Sequence, residues 1–152
     1  MAETHEFKPL KELGEIPLGE DGALKFYVDE YKGYKYASIR RFVTSETYSG
    51  PTKSGVTLNS RLLPLAIETL SKLPAQPAVT EDQELARWPK KAGVELVARI
   101  TIFKDTTGID LREWVDEPEY KGPSKKGVRI PYQELPKALE FLRQMVPLIA
   151  KA

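Results

Sequence analysis

An internal repeat constrains this chain more than any other feature of its sequence. Shifted by 72 residues, the sequence aligns with itself without a gap, and 12 of the 31 positions from Ser38 to Glu68 are identical to their partners. A repeat in one register over such a length indicates one structural unit that occurs twice. The identical pairs are Arg40/Arg112, Val43/Val115, Tyr48/Tyr120, Gly50/Gly122, Pro51/Pro123, Lys53/Lys125, Gly55/Gly127, Val56/Val128, Leu63/Leu135, Pro64/Pro136, Ala66/Ala138 and Glu68/Glu140.

The repeat divides the chain into a first module, residues 1–73, and a second module, residues 81–152. Residues 74–80, which begin with Pro74 and include Pro77, are predicted to be the linker. A module of about 60 residues buries only part of its surface and is marginally stable alone. We therefore expect the two modules to pack on each other.

Alternation of apolar and polar residues predicts the strands of the first module. A period of two over residues 24–31 and 36–43 is typical of half-buried strands, and Lys32-Gly33 between them is typical of a hairpin turn. We predict a first strand at 12–18, a loop at 44–54 and a short strand at 55–58. Helical spacing from Leu63 to Leu73 predicts a helix with Pro64 in its first turn.

The second module repeats this order, with one ambiguous segment. Residues 80–83 resemble a capping box, which favours a helix over 84–90, whereas the repeat aligns 84–90 with the predicted strand at 12–18. We follow the repeat and predict a strand. The last helix begins at Leu135 and is predicted to end at Pro147. Each module is then four antiparallel strands followed by one helix, which places the chain in the α+β class.

The face of each sheet that points away from the apolar residues is rich in rings and cations. Exposed aromatic residues are unfavourable unless something covers them, and rings interleaved with cations suit single strands, whose bases stack while phosphates are neutralised. Two alternatives remain open from this pattern, namely a face that binds protein and a face that is buried. The residues are Lys25, Tyr27, Tyr31, Tyr36, Arg40 and Phe42 in the first module and Arg99, Phe103, Arg112 and Trp114 in the second.

The loops before the fourth strands add Lys53, Lys125 and Lys126, each in a glycine-bounded segment that would let a backbone approach a phosphate. The glycine spacing imitates a P-loop, but Val56 and Val128 stand where that motif needs lysine, so nucleotide hydrolysis is not expected. A solvated turn is the other interpretation of these lysines. The net charge of +1 favours nucleic-acid binding only if the cations share one surface.

The sequence offers no catalytic or metal-binding set. There is no cysteine, and His5 is the only histidine. Asp110, Glu113 and Asp116 have no acidic partners in the first module, so we expect them to be exposed or ion-paired. We therefore predict no enzyme activity, no cofactor and no metal. Because the start of the chain does not resemble a signal peptide and no long apolar run follows, we expect a cytoplasmic protein, associated with the nucleoid if prokaryotic or phage.

Three segments resemble the transcriptional coactivator family of the positive cofactor four type. These are Tyr31-Lys32-Gly33 with Ser38-Ile39-Arg40, the run from Gly108 to Trp114, and the run from Gly50 to Asn59. The resemblance implies curved four-stranded sheets that pair through their helices, here as a pseudo-dimer within one chain. By motif it also implies single-stranded DNA binding by Tyr31, Lys32, Arg40, Lys53, Phe103, Lys104, Arg112, Lys125 and Lys126.

The sequence thus predicts a sequence-tolerant single-stranded-DNA-binding protein that acts in transcription, replication or repair. Its expected partners are single-stranded DNA and the transcription or replication machinery, and the internal pseudo-dimer is expected to be monomeric. RNA binding and protein interaction through the same faces are the alternatives.

Overall fold

Each module folds into an antiparallel sheet, and a helix follows each sheet in the chain. The structure is a computed structural model that describes residues 9–19 and 22–150 and the backbone of residues 3–4. No helix in these ranges is long and apolar enough to cross a membrane. The elements are β1 (Glu3–Thr4), β2 (Lys11–Pro17), β3 (Gly22–Tyr31), β4 (Tyr34–Thr44), β5 (Tyr48–Leu58), α1 (Leu62–Ser71), β6 (Gln83–Lys91), β7 (Val94–Phe103), β8 (Thr106–Asp116), β9 (Lys121–Pro131) and α2 (Leu135–Ile149).

The sheet topology confirms the predicted α+β duplication. The second sheet has the order β6-β7-β8-β9, and the first has the matching order β2-β3-β4-β5. The first sheet also gains β1, which pairs in parallel with Tyr48 and Ser49 of β5 and was not predicted. The ambiguous segment 84–90 lies within strand β6, as the repeat required.

The predicted loop at 44–54 is largely a strand, because β5 begins at Tyr48 and continues beyond a large bulge. Arg40 pairs with Gly55 and Phe42 pairs with Pro51, so three residues of β5 lie opposite Arg41. Proline is tolerated in edge strands and at bulges, which is why glycine and proline here did not end the strand. In the second module the corresponding β9 bulge lies between the pairs Arg112–Gly127 and Trp114–Pro123.

The same side-chain hydrogen bonds hold the bulge in both modules. The Thr52 hydroxyl donates to the Arg41 carbonyl over 2.8 Å, and the Ser124 hydroxyl donates to the Glu113 carbonyl over 2.8 Å. The hydroxyls of Tyr48 and Tyr120 donate to the carbonyls of Pro51 and Pro123. The repeat therefore preserves a specific backbone shape.

Helix α2 continues to Ile149 with Pro147 inside it, so the prediction that it ends at Pro147 was wrong. Proline removes one hydrogen bond to the preceding turn. Pro147 lies only two residues before the end of the helix, and the bond from the Ala150 amide to the Val146 carbonyl still closes the last turn. The loss is therefore confined to an end where carbonyls are commonly solvated.

Both sheets and both helices share one apolar core, whose buried residues come from both modules. Helix α2 follows the second sheet but contacts strands β2, β3 and β4 of the first sheet, and it also contacts α1. The Phe141 ring of α2 lies 5.0 Å from the Phe26 ring of β3. A Cβ at Gly14 would lie 2.5 Å from Phe141, so only glycine leaves room for this ring. The first sheet is thus covered by the helix of the second module.

Polar contacts also join the two modules, whose strands β5 and β9 contact each other. Lys90 donates from its Nζ to the carbonyl and hydroxyl oxygens of Thr57 over 2.9 and 3.2 Å, and its Nζ lies 2.7 Å from the Glu113 carboxylate. The Tyr132 hydroxyl donates to the Pro74 carbonyl over 2.6 Å, and burial raises the pKa of Tyr132. These contacts fix the connection between the modules.

Because the core is shared, Leu142→Ala in α2 is expected to destabilise both sheets together. Leu142 is fully buried, and truncating such a leucine costs about 2–5 kcal/mol. Urea unfolding followed by tryptophan fluorescence reports the second module, which contains both Trp88 and Trp114, while far-ultraviolet circular dichroism reports the whole chain. Coincident transitions are expected. Arg143→Ala, at an exposed position of α2, is the control, and two separate transitions would contradict the shared core.

Removing the lysine of the Lys90–Glu113 pair is expected to be costly, because it leaves a mostly buried carboxylate without its ion partner. The side chains of this pair are 16% and 10% exposed, so Lys90→Met should lower the free energy of unfolding by about 3 kcal/mol. Adding Glu113→Gln should restore much of it. Urea denaturation of the single and double variants measures both effects, and equal stabilities for the two variants would show that the carboxylate does not need Lys90.

Candidate nucleic-acid interface

Cations from both modules line one groove between strands β5 and β9. We call it the cationic groove, and its volume is about 440 Å³. It contains four of the predicted site residues, two from each module. Its lining residues are Arg40, Lys53, Gly55, Thr57, Glu113, Lys125 and Lys126.

Arg40 is the most firmly positioned cation of this groove. Its Nε donates to the Tyr27 hydroxyl over 3.1 Å and its Nη1 donates to the Thr52 carbonyl over 2.8 Å. It lies across Gly55, where a Cβ would come within 2.9 Å of the Arg40 Cζ. The glycine of the repeated loop therefore makes room for an arginine.

One acid also lines the cationic groove. Glu113 is buried, and its carboxylate is paired with Lys90. This ion pair offsets the acidic charge, so Arg40 and the three lysines leave the groove strongly positive. A positive groove attracts phosphate at long range and neutralises it on contact.

The tips of two hairpins present exposed rings, each beside a lysine. Tyr31 is 65% exposed and the Lys32 ammonium lies 5.3 Å from its ring centroid. Phe103, its repeat partner, is 63% exposed, with the Lys104 ammonium at 5.4 Å. Lys32 and Lys104 have φ values of 51° and 48°, so both hairpins turn through the same left-handed conformation. The predicted ring and cation at each tip are therefore adjacent and accessible.

The prediction that Tyr27 and Phe42 are exposed was wrong. Both lie on the face of the first sheet that is turned away from the shared apolar core, but they are only 4% and 8% exposed. Their rings pack edge to face, with centroids 6.5 Å apart. The Lys25 ammonium lies 4.7 Å from the Phe42 ring centroid and 3.6 Å from the Glu12 carboxylate. Tyr27, Phe42 and Lys25 thus form a packed cluster, and neither Tyr27 nor Phe42 has an open ring face on which a base could stack.

Trp114 is half-buried, and its ring is already in contact with two arginines. The guanidinium carbons of Arg87 and Arg99 lie 4.9 and 5.6 Å from its ring centroid. Arg99 also lies 3.6 Å from the Asp82 carboxylate. A hydrogen bond from Arg87 lowers the pKa of Glu84 and is the largest cause of the raised pKa of Arg87.

Trp114 and Arg87 also border an open cavity of about 540 Å³ on the second module. Arg87 belongs to β6, the segment whose fold was ambiguous from sequence, and it was missed as a neighbour of Trp114. The alternation of apolar and polar residues along β6 was the sequence signal that could have identified Arg87.

The remaining predicted residues lie in two other places. Tyr36 is half-buried and borders an open cavity of about 780 Å³ beside the end of α2. Arg112 is bound to the Asp110 carboxylate through Nε and Nη2, with its closest contacts at 3.1 Å. Arg112 does not line the cationic groove.

The predicted residues therefore lie in several separate places, with the accessible ones in the cationic groove and at the two hairpin tips, rather than on one continuous face. Tyr34, at the first hairpin, lies six residues from Arg40 along β4, which corresponds to about 20 Å. Between the hairpin and the groove, Ser38 is buried. A ligand that contacts both the first hairpin and the cationic groove must span this length.

The acidic residues that might have suggested a metal site are ion-paired, as expected. Asp110 is paired with Arg112, Glu113 with Lys90, and Asp116 with Lys121. Within residues 9–19 and 22–150 there is no cluster of acidic, histidine or cysteine side chains that could hold a metal ion. His5 lies outside the described residues.

Comparison with known proteins gives similarity to solved structures alone. No protein-family model and no curated protein matches the chain. WHY3 from Arabidopsis thaliana is 11% identical, with 95% of this chain and 90% of that chain covered and a TM-score of 0.47. The plant transcriptional regulator PBF-2 is 10% identical, with 93% and 84% covered and a TM-score of 0.45. At these identities and TM-scores, the similarity does not assign this chain to a family.

Proposed function

We propose that this protein binds single-stranded DNA, with little dependence on base sequence and without catalysing a reaction. The observation that carries the proposal is the convergence of Arg40, Lys53, Lys125 and Lys126 on the cationic groove. These cations come from two modules and are brought together by the fold, although the net charge of the chain is only +1. Such a concentration of positive charge suits a polyanionic ligand, whose phosphates it can neutralise.

The hairpin tips favour a single strand over a duplex. Exposed rings at Tyr31 and Phe103 offer stacking faces, and only unpaired bases have faces free to stack on them. Phosphate neutralisation and stacking on rings both tolerate any base, so the expected binding is sequence-tolerant. We propose that the protein acts through such strands in transcription, replication or repair, as a cytoplasmic monomer.

Binding should fall steeply with salt, because each phosphate contact releases counterions. For single strands the slope of log K against log salt is about −0.7 per contact, so four contacts predict a slope of about −3. Replacing Lys53, Lys125 and Lys126 together with alanine should reduce the slope to about −0.7. Fluorescence anisotropy with labelled oligo-dT measures it.

Lys72→Ala is the control for this series, because Lys72 is exposed and pairs with Glu68 at the end of α1, outside the groove. An unchanged slope in the triple variant would remove the cationic groove from the binding site. Duplex DNA and matched RNA in the same titration separate single-stranded DNA binding from general polyanion binding and from RNA binding.

The tip rings should contribute through stacking. Tyr31→Ala and Phe103→Ala each remove an exposed ring, and loss of one stacked base costs about 1–3 kcal/mol. We expect at least fivefold weaker binding for each variant, with the salt slope and melting temperature unchanged. Leu10→Ala, at an exposed aliphatic position, is the matched control. Wild-type affinity in the double variant would confine binding to the cationic groove.

A further inference from the structure

The chain contains two repeat-related grooves, and they have diverged in charge. We infer that a single strand enters the cationic groove alone and that the second groove no longer takes phosphate, so one chain binds one strand. This inference rests on the proposed function and specifies which half of the duplicated surface performs it.

The second groove lies on the other side of the junction between the modules and has a volume of about 520 Å³. The repeat relates five of its lining residues to lining residues of the cationic groove. Its residues Arg41, Ser54, Arg112, Gly127 and Arg129 are the repeat partners of Glu113, Lys126, Arg40, Gly55 and Thr57.

The two central arginines have the same backbone support. The Nη1 of Arg112 donates to the Ser124 carbonyl over 2.8 Å, as the Nη1 of Arg40 does to the Thr52 carbonyl. Arg112 also lies against Gly127, as Arg40 lies against Gly55. Both side chains are therefore placed by the same bulge.

The two arginines differ in their remaining contacts. All three guanidinium nitrogens of Arg112 are bonded, because Nε and Nη2 both contact the Asp110 carboxylate. Arg40 uses Nε for the neutral Tyr27 hydroxyl, and within the described residues it has no carboxylate partner and no acceptor at Nη2. Arg40 therefore keeps both a net charge and donors that a phosphate can use.

Two repeat positions differ beside these arginines, because the repeat partners of Tyr27 and Ser38 are Arg99 and Asp110, and of these four side chains only the Asp110 carboxylate neutralises a groove arginine. The partner of Asp110 is Ser38, which is buried on strand β4 and has no charge. A carboxylate at this position neutralises the arginine, whereas a hydroxyl leaves it positive. Serine or aspartate at this position therefore determines whether the groove arginine is available.

Other differences between the two grooves also leave the cationic groove with more available positive charge. Lys53 and Lys125 both line the cationic groove and neither lines the second groove. In the second groove, Arg129 directs its Nε and Nη2 to oxygens of Thr101 and Thr106 in its own sheet. Arg41 is the one cation of the second groove that has no such contact among the described residues. Among the described residues, a nucleic-acid backbone would therefore find four cations without a carboxylate partner in the cationic groove and two, Arg41 and Arg129, in the second groove, where Arg129 is already bonded within its own sheet.

The test compares Arg40→Gln with Arg112→Gln, which make the same chemical change at repeat-related positions. With labelled oligo-dT of roughly 12 nucleotides, Arg40→Gln should weaken binding about tenfold and reduce the salt slope by about 0.7. Arg112→Gln and Arg41→Gln should leave both unchanged. Titration at protein concentrations far above the dissociation constant should give one strand per chain.

Exchanging the deciding position provides a second measurement. Asp110→Ser copies the first module and should make the salt slope steeper by about 0.7 as Arg112 is released. Ser38→Asp should neutralise Arg40 and weaken binding as Arg40→Gln does, with melting temperature as the check on folding.

Equal losses in Arg40→Gln and Arg112→Gln, or two strands per chain, would overturn the inference and leave single-stranded DNA binding intact. No binding of oligo-dT by the wild-type protein at low salt would instead reject the proposed function, and the inference with it.

Discussion

The shared apolar core is the constraint on which the rest of the structure depends. A single four-stranded sheet with one helix buries only part of its apolar surface and is marginally stable alone. Here α2 crosses to cover the first sheet, and the Phe141 ring fills the space that Gly14 leaves against Phe26. Strands β5 and β9 also contact each other across the junction between the modules. The cationic groove lies along that junction, so its formation depends on how the two modules pack.

The bulge in β5 and β9 converts this junction into a surface with directed side chains. Extra residues opposite Arg41 and Glu113 shift the register, and the serine or threonine hydroxyl of each bulge fixes its shape. A bulge re-aims the side chains beside it. The carbonyls of Thr52 and Ser124 then hold the two arginines in the same pose. The repeated glycine, proline and lysine run therefore preserves a strand with a bulge, although its composition is typical of a loop.

The sequence predicted the duplication, strand β6 and the buried faces because these depend on periodicity, which survives in the linear order of residues. It did not predict that Tyr27 and Phe42 are buried, since a period of two separates the faces of a strand without telling whether the second face is covered. Nor did it reveal the contact of Lys90 with Glu113 and Thr57, which requires knowing how the modules pack. The groove lysines were found because the repeat marked them, but their meeting place depended on tertiary structure.

Fusion of the two modules in one chain also explains how their surfaces came to differ. In a symmetric dimer, any substitution changes both copies of a site together. In this chain, Ser38 and Asp110 occupy equivalent buried positions, but only Asp110 places a negative charge beside its arginine. The Arg112–Asp110 pair lies within the second sheet, whereas Arg40 has no carboxylate partner among the described residues. In a duplicated chain, one arginine can thus be neutralised by a carboxylate of its own strand while its repeat partner keeps an uncompensated charge at the groove.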